Sequence, residues 1–508
     1  MLAKAYGATI LGLSAHIVEV EADISPGLPA FNIVGLPDQA VKESRERVKA
    51  ALLNSGYQFP DQRVTINLAP GDLRKEGALL DFPIAAAILA AMNIIPEKAL
   101  KHCLLIGELT LAGEARPVNG ALLISSAAAE AGFWGLILPE DNASEAAIVE
   151  RVKVFGFPQL ARAVRFLRRD EDLARHKVDL DGLFREPVED ILDYAEVKGQ
   201  EFGKRGLEVA AAGGHNLIMI GPPGSGKTML AKRLSTILPP LEREEAIETT
   251  KIHSVAGLLD SGKALLTARP FRSPHHSVSS IALIGGGSYP KPGEISLAHH
   301  GILFLDEIPE FPRNVLEVMR QPLEDGKITV SRAKATLNFP ASFMLVASMN
   351  PCPCGYWGDR QKECRCSATQ VRSYANRLSG PLLDRIDLHL EIPRIPYKEM
   401  SDKRAGESSE TIRERVRNAR RIQRNRHQDS FPYLNSQLNS KKIKKYCQLD
   451  REGSRLVESA IDNFGFSARG YNRILKVSRT IADLEGTPEI KSEHIGEAIG
   501  YRTLDRSA

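Results

Sequence analysis

Apolar residues along the chain follow either the spacing of strands or the spacing of helices, and the way the two patterns alternate divides the sequence into segments. Up to residue 168, short runs at 8–13 and 64–68 predict strands, whereas 39–53 and 82–92 have the spacing of helices. Strands and helices that alternate in this way predict an α/β or α+β domain in residues 1–168.

The next stretch is highly charged and loses this periodicity, so residues 169–186 are predicted to be a linker. In residues 187–395, apolar runs that end near 220, 305 and 348 alternate with helical stretches. This alternation predicts a mostly parallel sheet with helices on both faces. A ligand of such a sheet is expected at the carboxyl ends of its strands.

Strand patterns disappear in the last part of the chain, residues 396–508. Helical spacing predicts an all-helical domain there, with helices at 410–427, 450–464, 468–485 and 492–499.

A glycine-rich segment lies between the apolar run 217–220 and a helical stretch. It consists of Gly221, Pro222, Pro223, Gly224, Ser225, Gly226, Lys227 and Thr228. In this context the glycines leave backbone N–H groups free to surround phosphate oxygens, while Lys227 reaches the terminal phosphates and Thr228 holds Mg²⁺. The segment predicts a site for a nucleoside triphosphate.

A second apolar run, 302–305, ends in the acidic pair Asp306 and Glu307. Phosphoryl transfer depends on positioning and on neutralised charge more than on covalent chemistry. We therefore expect Asp306 to sit on the metal and Glu307 to orient the attacking water. In the alternative, the loop binds nucleotide only as a structural element and Glu307 does no chemistry.

Composition bounds the remaining possibilities. The chain has 508 residues, of which 43% are hydrophobic and 26% charged, as in an ordinary globular protein of several domains. The apolar stretch 84–92 is far shorter than the roughly 20 residues of a membrane-spanning helix, and the start of the sequence shows no signal-peptide pattern. The expected location is the cytoplasm, with no membrane partner.

Four of the six cysteines are clustered: Cys352, Cys354, Cys364 and Cys366. In a cytosolic chain such thiols more often hold a metal than form disulfides, and four thiolates suit tetrahedral Zn²⁺. Because the spacing differs from the usual Cys-x2-Cys pattern, a redox-sensitive or empty cluster remains an alternative.

A net charge of +4 does not by itself indicate nucleic-acid binding, so the argument depends on local clusters. The segment 327–337 alternates around a turn, which predicts a β-hairpin with Lys327, Arg332 and Lys334 as its basic groups. Such groups can follow a phosphate backbone without sequence preference. The arginine-rich stretch 413–426 and the lysines of 441–445 are further candidates, and a solvated surface is the alternative for all three.

The order of these motifs resembles that of AAA+ ATPases, in the magnesium-chelatase-like branch. Three stretches, 271–276, 290–301 and 350–355, closely match the bacterial YifB/ComM family, and the resemblance covers the whole chain. It implies an αβα P-loop module in 187–395 with a helical lid in 396–508. It also implies ATP as the nucleotide and a homo-hexameric ring.

The resemblance further implies roles for three residues. Asn350 matches the polar residue that aligns the attacking water, Arg385 matches the arginine finger supplied to a neighbouring subunit, and Arg469 matches the second sensor in the lid. The alternatives are a turn residue for Asn350 and structural ion pairs for the arginines, and Arg473 is a rival for the lid position.

Residues 1–168 resemble the Lon protease fold, an α+β domain of the S5 domain 2-like type. That family uses a serine activated by a lysine. Here apolar Ala78, Leu79 and Leu122 stand in the corresponding neighbourhoods, and without a nucleophile and a base there is no acyl transfer. The domain is therefore expected to lack the catalytic dyad and to serve assembly or nucleic-acid contact.

Together these features predict a hexameric ATP-dependent DNA motor. By resemblance, it would drive branch migration during homologous recombination in natural transformation, with single-stranded or branched DNA and recombination proteins as partners. Two alternatives remain: the ATPase subunit of a metal-inserting chelatase, and a nucleotide-gated scaffold that remodels proteins.

Overall fold

The computed structural model describes residues 1–185, 192–260, 262–287, 290–332, 335–359, 361–400, 406–427, 433–502 and 504. The chain forms two compact units. The first consists of Met1–Pro187 with Glu242–Thr267, and the second of Val188–Leu241 with Ala268–Ala508.

The first unit is built on a mixed sheet, which has eight strands among the described residues. From one edge to the other they are Arg175–His176, Lys153–Phe157, Gly135–Pro139, Cys103–Leu105, Leu2–Leu11, Ser14–Ser25, Arg63–Ala69 and Ala30–Val34. The central pair Leu2–Leu11 and Ser14–Ser25 is antiparallel, and the strands beyond Leu2–Leu11 on the Cys103–Leu105 side are parallel until the last.

Helices pack around this sheet and close its core. Their bounds are Gln39–Asn54, Asp81–Ala91, Glu97–Leu100, Ala121–Glu130, Ala143–Ala146, Leu160–Arg168, Leu180–Arg185 and Arg243–Ala256. Every residue of Asp81–Ala91 is buried, which explains its continuous apolar sequence. The one acid at its start, Asp81, accepts hydrogen bonds from Arg47 and the backbone of Leu109.

Two parts of the first unit differ from the sequence expectation. The segment predicted as a linker contains the strand Arg175–His176, which pairs with Lys153–Phe157, and the helix Leu180–Arg185. The helix Arg243–Ala256 lies within the predicted 187–395 segment, yet its Ser254 hydroxyl accepts from the Gly120 backbone at 2.8 Å. Periodicity predicts a helix but does not identify the core against which the helix packs.

The second unit contains a five-stranded sheet among its described residues. The order is Phe271–Arg272, Ile302–Leu305, Met344–Met349, Leu217–Ile220 and Leu388–Glu391, and every neighbouring pair is parallel. The buried, continuously apolar strands confirm the predicted parallel sheet, because such runs belong to strands covered on both faces.

Shorter elements surround this sheet. The helices are Glu201–Gly213, Lys227–Ile237, Ser280–Ile284, Glu294–Leu297, Arg313–Glu317, Arg320–Asp325, Ala368–Ala375, Gly380–Leu383 and Tyr397–Met400. Single 3₁₀ turns occupy Tyr194–Glu196, Ile308–Glu310 and Asn435–Gln437. The strands Lys327–Arg332 and Ala335–Pro340 form the predicted hairpin, and Gly285–Gly286 pairs with Lys291–Pro292.

The C-terminal part of the second unit is helical, as predicted. Its helices are Ser409–Arg426, Ser440–Tyr446, Arg451–Phe464, Ala468–Leu484 and Ser492–Gly500. Side chains of Ser408, Asp450 and Ser467 accept the free N–H groups at the start of three of them. None of the described helices is long and apolar enough to cross a bilayer.

A buried carboxylate ties several of these helices together. Asp483 accepts hydrogen bonds from Arg426, from Arg479 at 3.1 Å and from the Asn435 amide at 2.8 Å. These donors come from two other segments as well as from its own helix. A buried charge is tolerated only with such partners, so Asp483 fixes how the helices meet.

Candidate functional site

The glycine-rich loop joins the end of strand Leu217–Ile220 to the start of helix Lys227–Ile237. Gly224 and Gly226 have φ values of 76° and 93°, which residues with a Cβ rarely adopt. A Cβ on Gly221 would lie 2.1 Å from the Ile392 carbonyl oxygen. The loop therefore requires glycine for its curvature and for its close packing.

Lys227, the first residue of that helix, brings two strand ends together. Its Nζ donates to the carbonyl oxygens of Gly221 at 2.7 Å and Pro222 at 3.0 Å, and to Asn350 Oδ1 at 3.2 Å. Burial lowers the pKa of the ammonium, and the charges of Asp306 and Glu307 counteract part of this effect. Asn350 and the acidic pair thus lie close to Lys227.

The acidic pair lies at the carboxyl end of strand Ile302–Leu305. The Thr228 hydroxyl donates to Asp306 Oδ2 at 2.8 Å, and the Ser348 hydroxyl donates to Asp306 Oδ1. Ser348 belongs to the buried strand Met344–Met349 and was not identified from the sequence. A hydroxyl two positions before Asn350, in an otherwise apolar strand, was the signal that could have revealed it.

Glu307 adopts an unusual backbone conformation. Its φ is 52° and its ψ is 48°, the left-handed region, which costs energy for a residue with a Cβ. Its N–H donates to Asp306 Oδ1 and to Ser348 Oγ, both at 3.2 Å. These two bonds hold the turn, and the Glu307 side chain is exposed while Asp306 is partly buried.

The oxygen donors at this point suit a hard divalent cation. Mg²⁺ is usually bound through one or two protein oxygens together with phosphate oxygens and water. Thr228 and Asp306 already lie within hydrogen-bond distance of each other, so a hydroxyl and a carboxylate converge as that coordination requires.

The arginines lie in ion pairs within the second unit. Arg385 is 9% exposed; it pairs with Glu324, and its Nη1 donates to the Pro381 carbonyl at 2.5 Å. Arg469 is mostly exposed, and its guanidinium is 4.0 Å from carboxylate oxygens of both Glu324 and Asp384. The structure thus brings Arg385 and Arg469 to one carboxylate. Within the described residues, the hydrogen bonds and ion pairs link neither of them to Lys227 or Asp306.

Arg473, the rival for the lid position, belongs to a different cluster. Its Nε is 3.1 Å from Asp387 Oδ1, and the other Asp387 oxygen is 3.0 Å from His215 Nδ1. His215 Nε2 also lies 2.8 Å from the Thr480 hydroxyl. Although burial opposes ionisation, His215, Arg473 and Lys476 hold the pKa of Asp387 at about 2. This cluster, which connects sheet and helices, was not anticipated from the sequence.

The four clustered cysteines converge in space. Their sulfur atoms all lie within 4.8 Å of one another, and Cys352 Sγ is 3.3 Å from Cys354 Sγ and 3.6 Å from Cys364 Sγ. Zn–S bonds of about 2.3 Å in a tetrahedron place sulfurs roughly 3.8 Å apart. The Trp357 N–H donates to Cys352 Sγ at 3.3 Å, so the donor set and its surroundings fit a tetrahedral thiolate site.

The loop that carries the four cysteines, residues 350–366, also contacts the glycine-rich loop, residues 221–228. Gly355 has a φ of 84°, and a Cβ at this position would lie 2.5 Å from Pro223 Cδ. The same Cβ would lie 3.8 Å from Asn350 Cγ, so this loop packs against both Pro223 and Asn350.

The predicted DNA-contact residues are only partly described. Lys327 is exposed at the start of its strand, and the backbone of Arg332 pairs with Ala335. Lys334 lies outside the described residues.

In the first unit, the positions compared with the Lon dyad are apolar in structure as well as in sequence. Leu122 is fully buried, and its N–H donates to Glu145 Oε1 at 2.8 Å. Leu79 packs against a core that includes Ile106 and Ala121. Neither position offers a nucleophile or a base.

Comparisons with known proteins agree with this architecture. Three family models match the chain: "Magnesium chelatase, subunit ChlI" at residues 193–400, "Subunit ChlI of Mg-chelatase" at 20–142, and "Magnesium chelatase, subunit ChlI C-terminal" at 406–502. Lon protease 2 of Bacillus subtilis is 31% identical over 28% of this chain and 26% of its own length.

Two relatives match over nearly their whole length. The uncharacterized protein YifB of Salmonella typhimurium is 46% identical, covering 99% of this chain and 98% of the relative. The competence protein ComM of Haemophilus influenzae is 44% identical with the same coverage. The chain therefore belongs to the YifB/ComM family of magnesium-chelatase-like AAA+ proteins.

Proposed function

We propose that the protein is a hexameric ATP-dependent motor that moves along DNA and promotes branch migration during homologous recombination. One observation carries the nucleotide part of this proposal. Lys227 and Thr228, at the start of one helix, donate hydrogen bonds to Asn350 and Asp306, which follow two separate strands, and Glu307 lies beside them.

In the proposed reaction Lys227 binds the terminal phosphates, and Thr228 and Asp306 hold Mg²⁺, which neutralises phosphate charge when bound. Glu307 orients the attacking water, and Asn350 keeps that water in line with the γ-phosphate. Ser348 acts as a positioning residue, because its hydroxyl holds the Asp306 carboxylate and the Glu307 N–H.

Ring assembly follows from the proposed arginine finger. Among the described residues, Arg385 forms no hydrogen bond or ion pair with the glycine-rich loop of its own chain, and we propose that its guanidinium completes a neighbour's site. An arginine that acts in this way couples hydrolysis to assembly. Glu324, which pairs with Arg385 here, would release it when the neighbour binds nucleotide, and Arg469 would act as the lid sensor.

The proposed substrate is single-stranded or branched DNA, with recombination proteins as partners. The name of the Haemophilus relative, a competence protein, supports a role in natural transformation. The hairpin provides Lys327, Arg332 and Lys334 as phosphate contacts that ignore base sequence. A chelatase-type ATPase is the second candidate, favoured by the names of the matching family models.

We further propose that Cys352, Cys354, Cys364 and Cys366 bind one Zn²⁺. The metal would fix the loop that starts at Asn350, because it fastens both ends of the segment packed against Pro223.

Replacing Glu307 by Gln should reduce ATP turnover by about two to four orders of magnitude, because the group that activates water is lost. ATP binding should persist, since Lys227 and Thr228 are unchanged. Turnover and the affinity for a fluorescent ATP analogue are the measurements. Glu391→Gln is the matched control, because Glu391 is exposed and also ends a strand of this sheet. Near-normal turnover by Glu307→Gln would refute the catalytic role.

Mixing two inactive variants tests the shared site. Lys227→Ala chains keep Arg385, and Arg385→Ala chains keep Lys227. In mixed rings, some interfaces between neighbours therefore contain both an intact Lys227 and an intact Arg385. For random mixing in equal amounts, about a quarter of the interfaces should be complete, with a corresponding recovery of ATP turnover. The Lys227→Ala/Arg385→Ala double variant, mixed with Lys227→Ala, is the control. If the first mixture stays as inactive as this control, Arg385 does not act across a subunit boundary.

Changing Lys327, Arg332 and Lys334 together to Ala should abolish strand movement and leave basal ATP turnover unchanged, because the phosphate contacts are lost while the nucleotide site is intact. The measurement is branch migration of a labelled four-way DNA junction. The matched control changes Lys42, Lys98 and Lys101 together to Ala, which removes the same amount of charge from exposed positions of the first unit. A wild-type protein that moves no DNA strand would favour the chelatase candidate instead.

The metal can be tested by elemental analysis. Wild type should contain about one zinc per chain, and Cys354→Ser/Cys364→Ser should contain almost none, because two of four ligands are lost. Cys103→Ala/Cys447→Ala should keep the zinc, since these two cysteines are buried elsewhere. Zinc-free wild type with four rapidly reacting thiols would identify an empty, redox-sensitive cluster.

A further inference from the structure

A cavity of about 700 Å³ lies in the second unit, and the residues that line it have no role in the proposed mechanism. One wall is the segment that follows Glu307, and the other is the helix Ala368–Ala375, which follows the cysteine cluster. The side chains that matter for its chemistry are those of Glu310, Arg313, Arg372, Ser373, Asn376 and Arg377.

This cavity has an excess of positive charge. Arg377 is neutralised in part, because its Nη1 lies 2.8 Å from Glu310 Oε1. Arg313 lies near Glu317, one turn along its own helix, and its charge helps to lower the pKa of that carboxyl group. In the part of the chain that the structure describes, neither Arg313 nor Arg372 forms an ion pair with an acid. Three arginines against one carboxylate leave two positive charges that face the cavity.

The hydrogen-bonding groups indicate what would balance these charges. Guanidinium groups bind phosphate oxygens through paired N–H donors, and serine and asparagine are among the side chains that commonly contact phosphate and sugar. Ser373 and Asn376 lie beside Arg372 on the exposed side of their helix. Phe311 also lines the cavity but is buried, whereas Arg372, Ser373 and Asn376 are exposed and can donate hydrogen bonds to phosphate oxygens.

The cavity is also connected to the nucleotide site. Tyr374 lies in the same helix as Arg372; it is buried, shares a hydrogen bond with the backbone of Asn350, and its pKa is raised to about 12 by burial. On the opposite wall, Glu310 ends the 3₁₀ turn that begins directly after Glu307. An anion between these walls would act on both the acidic pair and the polar residue beside Lys227.

We propose that this cavity binds the phosphodiester backbone of a nucleic-acid strand and transmits its presence to the ATP site. Arg313 and Arg372 make the phosphate contacts. The proposal rests on the proposed DNA motor function, and it adds a second contact surface, separate from the hairpin, that makes ATP turnover depend on DNA.

Salt-dependent binding of a labelled single strand of DNA tests the contacts. Losing two phosphate contacts in Arg313→Ala/Arg372→Ala should reduce the slope of log K against log salt by about 1.4, since each contact contributes roughly 0.7 for single strands. Basal ATP turnover should remain unchanged, while stimulation by DNA should be lost. Arg451→Ala/Arg455→Ala is the matched control, because it removes two exposed arginines from a lid helix.

The outcomes separate this inference from the motor function. If wild type binds and responds to DNA and Arg313→Ala/Arg372→Ala does so equally, the cavity is not a DNA site and the motor proposal stands. If wild type shows no salt-dependent DNA binding, both fail. If wild type binds inorganic triphosphate and Arg313→Ala/Arg372→Ala does not, while both bind DNA with the same salt slope, the cavity is a site for free phosphate and the inference is overturned.

Discussion

The hydrogen bond from Thr228 to Asp306 is the contact on which the candidate site depends. It joins the start of a helix to the end of a neighbouring strand, and it brings together the two oxygen atoms that we propose as ligands of Mg²⁺. Parallel strands make this contact possible, because their carboxyl ends all lie at one edge of the sheet. Lys227 and Asn350 form a second link across the same edge.

At this edge of the sheet, the surrounding structure holds Glu307 in an unfavourable backbone conformation and Lys227 in a buried position. Glu307 is held in a left-handed conformation by bonds from its N–H to Asp306 and Ser348. Conformations of this kind persist only where the surrounding structure determines them fully. Lys227 is likewise buried and kept near carboxylates that favour its charged form. These groups are thus held by hydrogen bonds within the chain itself, and such preorganisation lowers the cost of ordering them around a ligand.

Glu324 and Asp387 show how the helical part of the second unit is connected to the sheet part. Glu324 lies against Arg385 and Arg469 together, whereas Asp387 is buried between His215 and Arg473. The exposed Arg469 contacts are long and cost little to break, but the buried Asp387 contacts are expensive to break. Separating the C-terminal helices from the sheet part would therefore cost less at Glu324 than at Asp387.

The sequence by itself determined the glycine-rich loop, the acidic pair, the parallel sheet, the hairpin and the C-terminal helices, because each depends on local spacing and on residue types with few other uses. Only the tertiary structure decided that Ser348 supports Asp306, that Arg385 lies against Glu324, and that helix Arg243–Ala256 packs in the first unit. These contacts join residues far apart in the chain. Local periodicity shows which face of an element is apolar, but not which distant element will cover it.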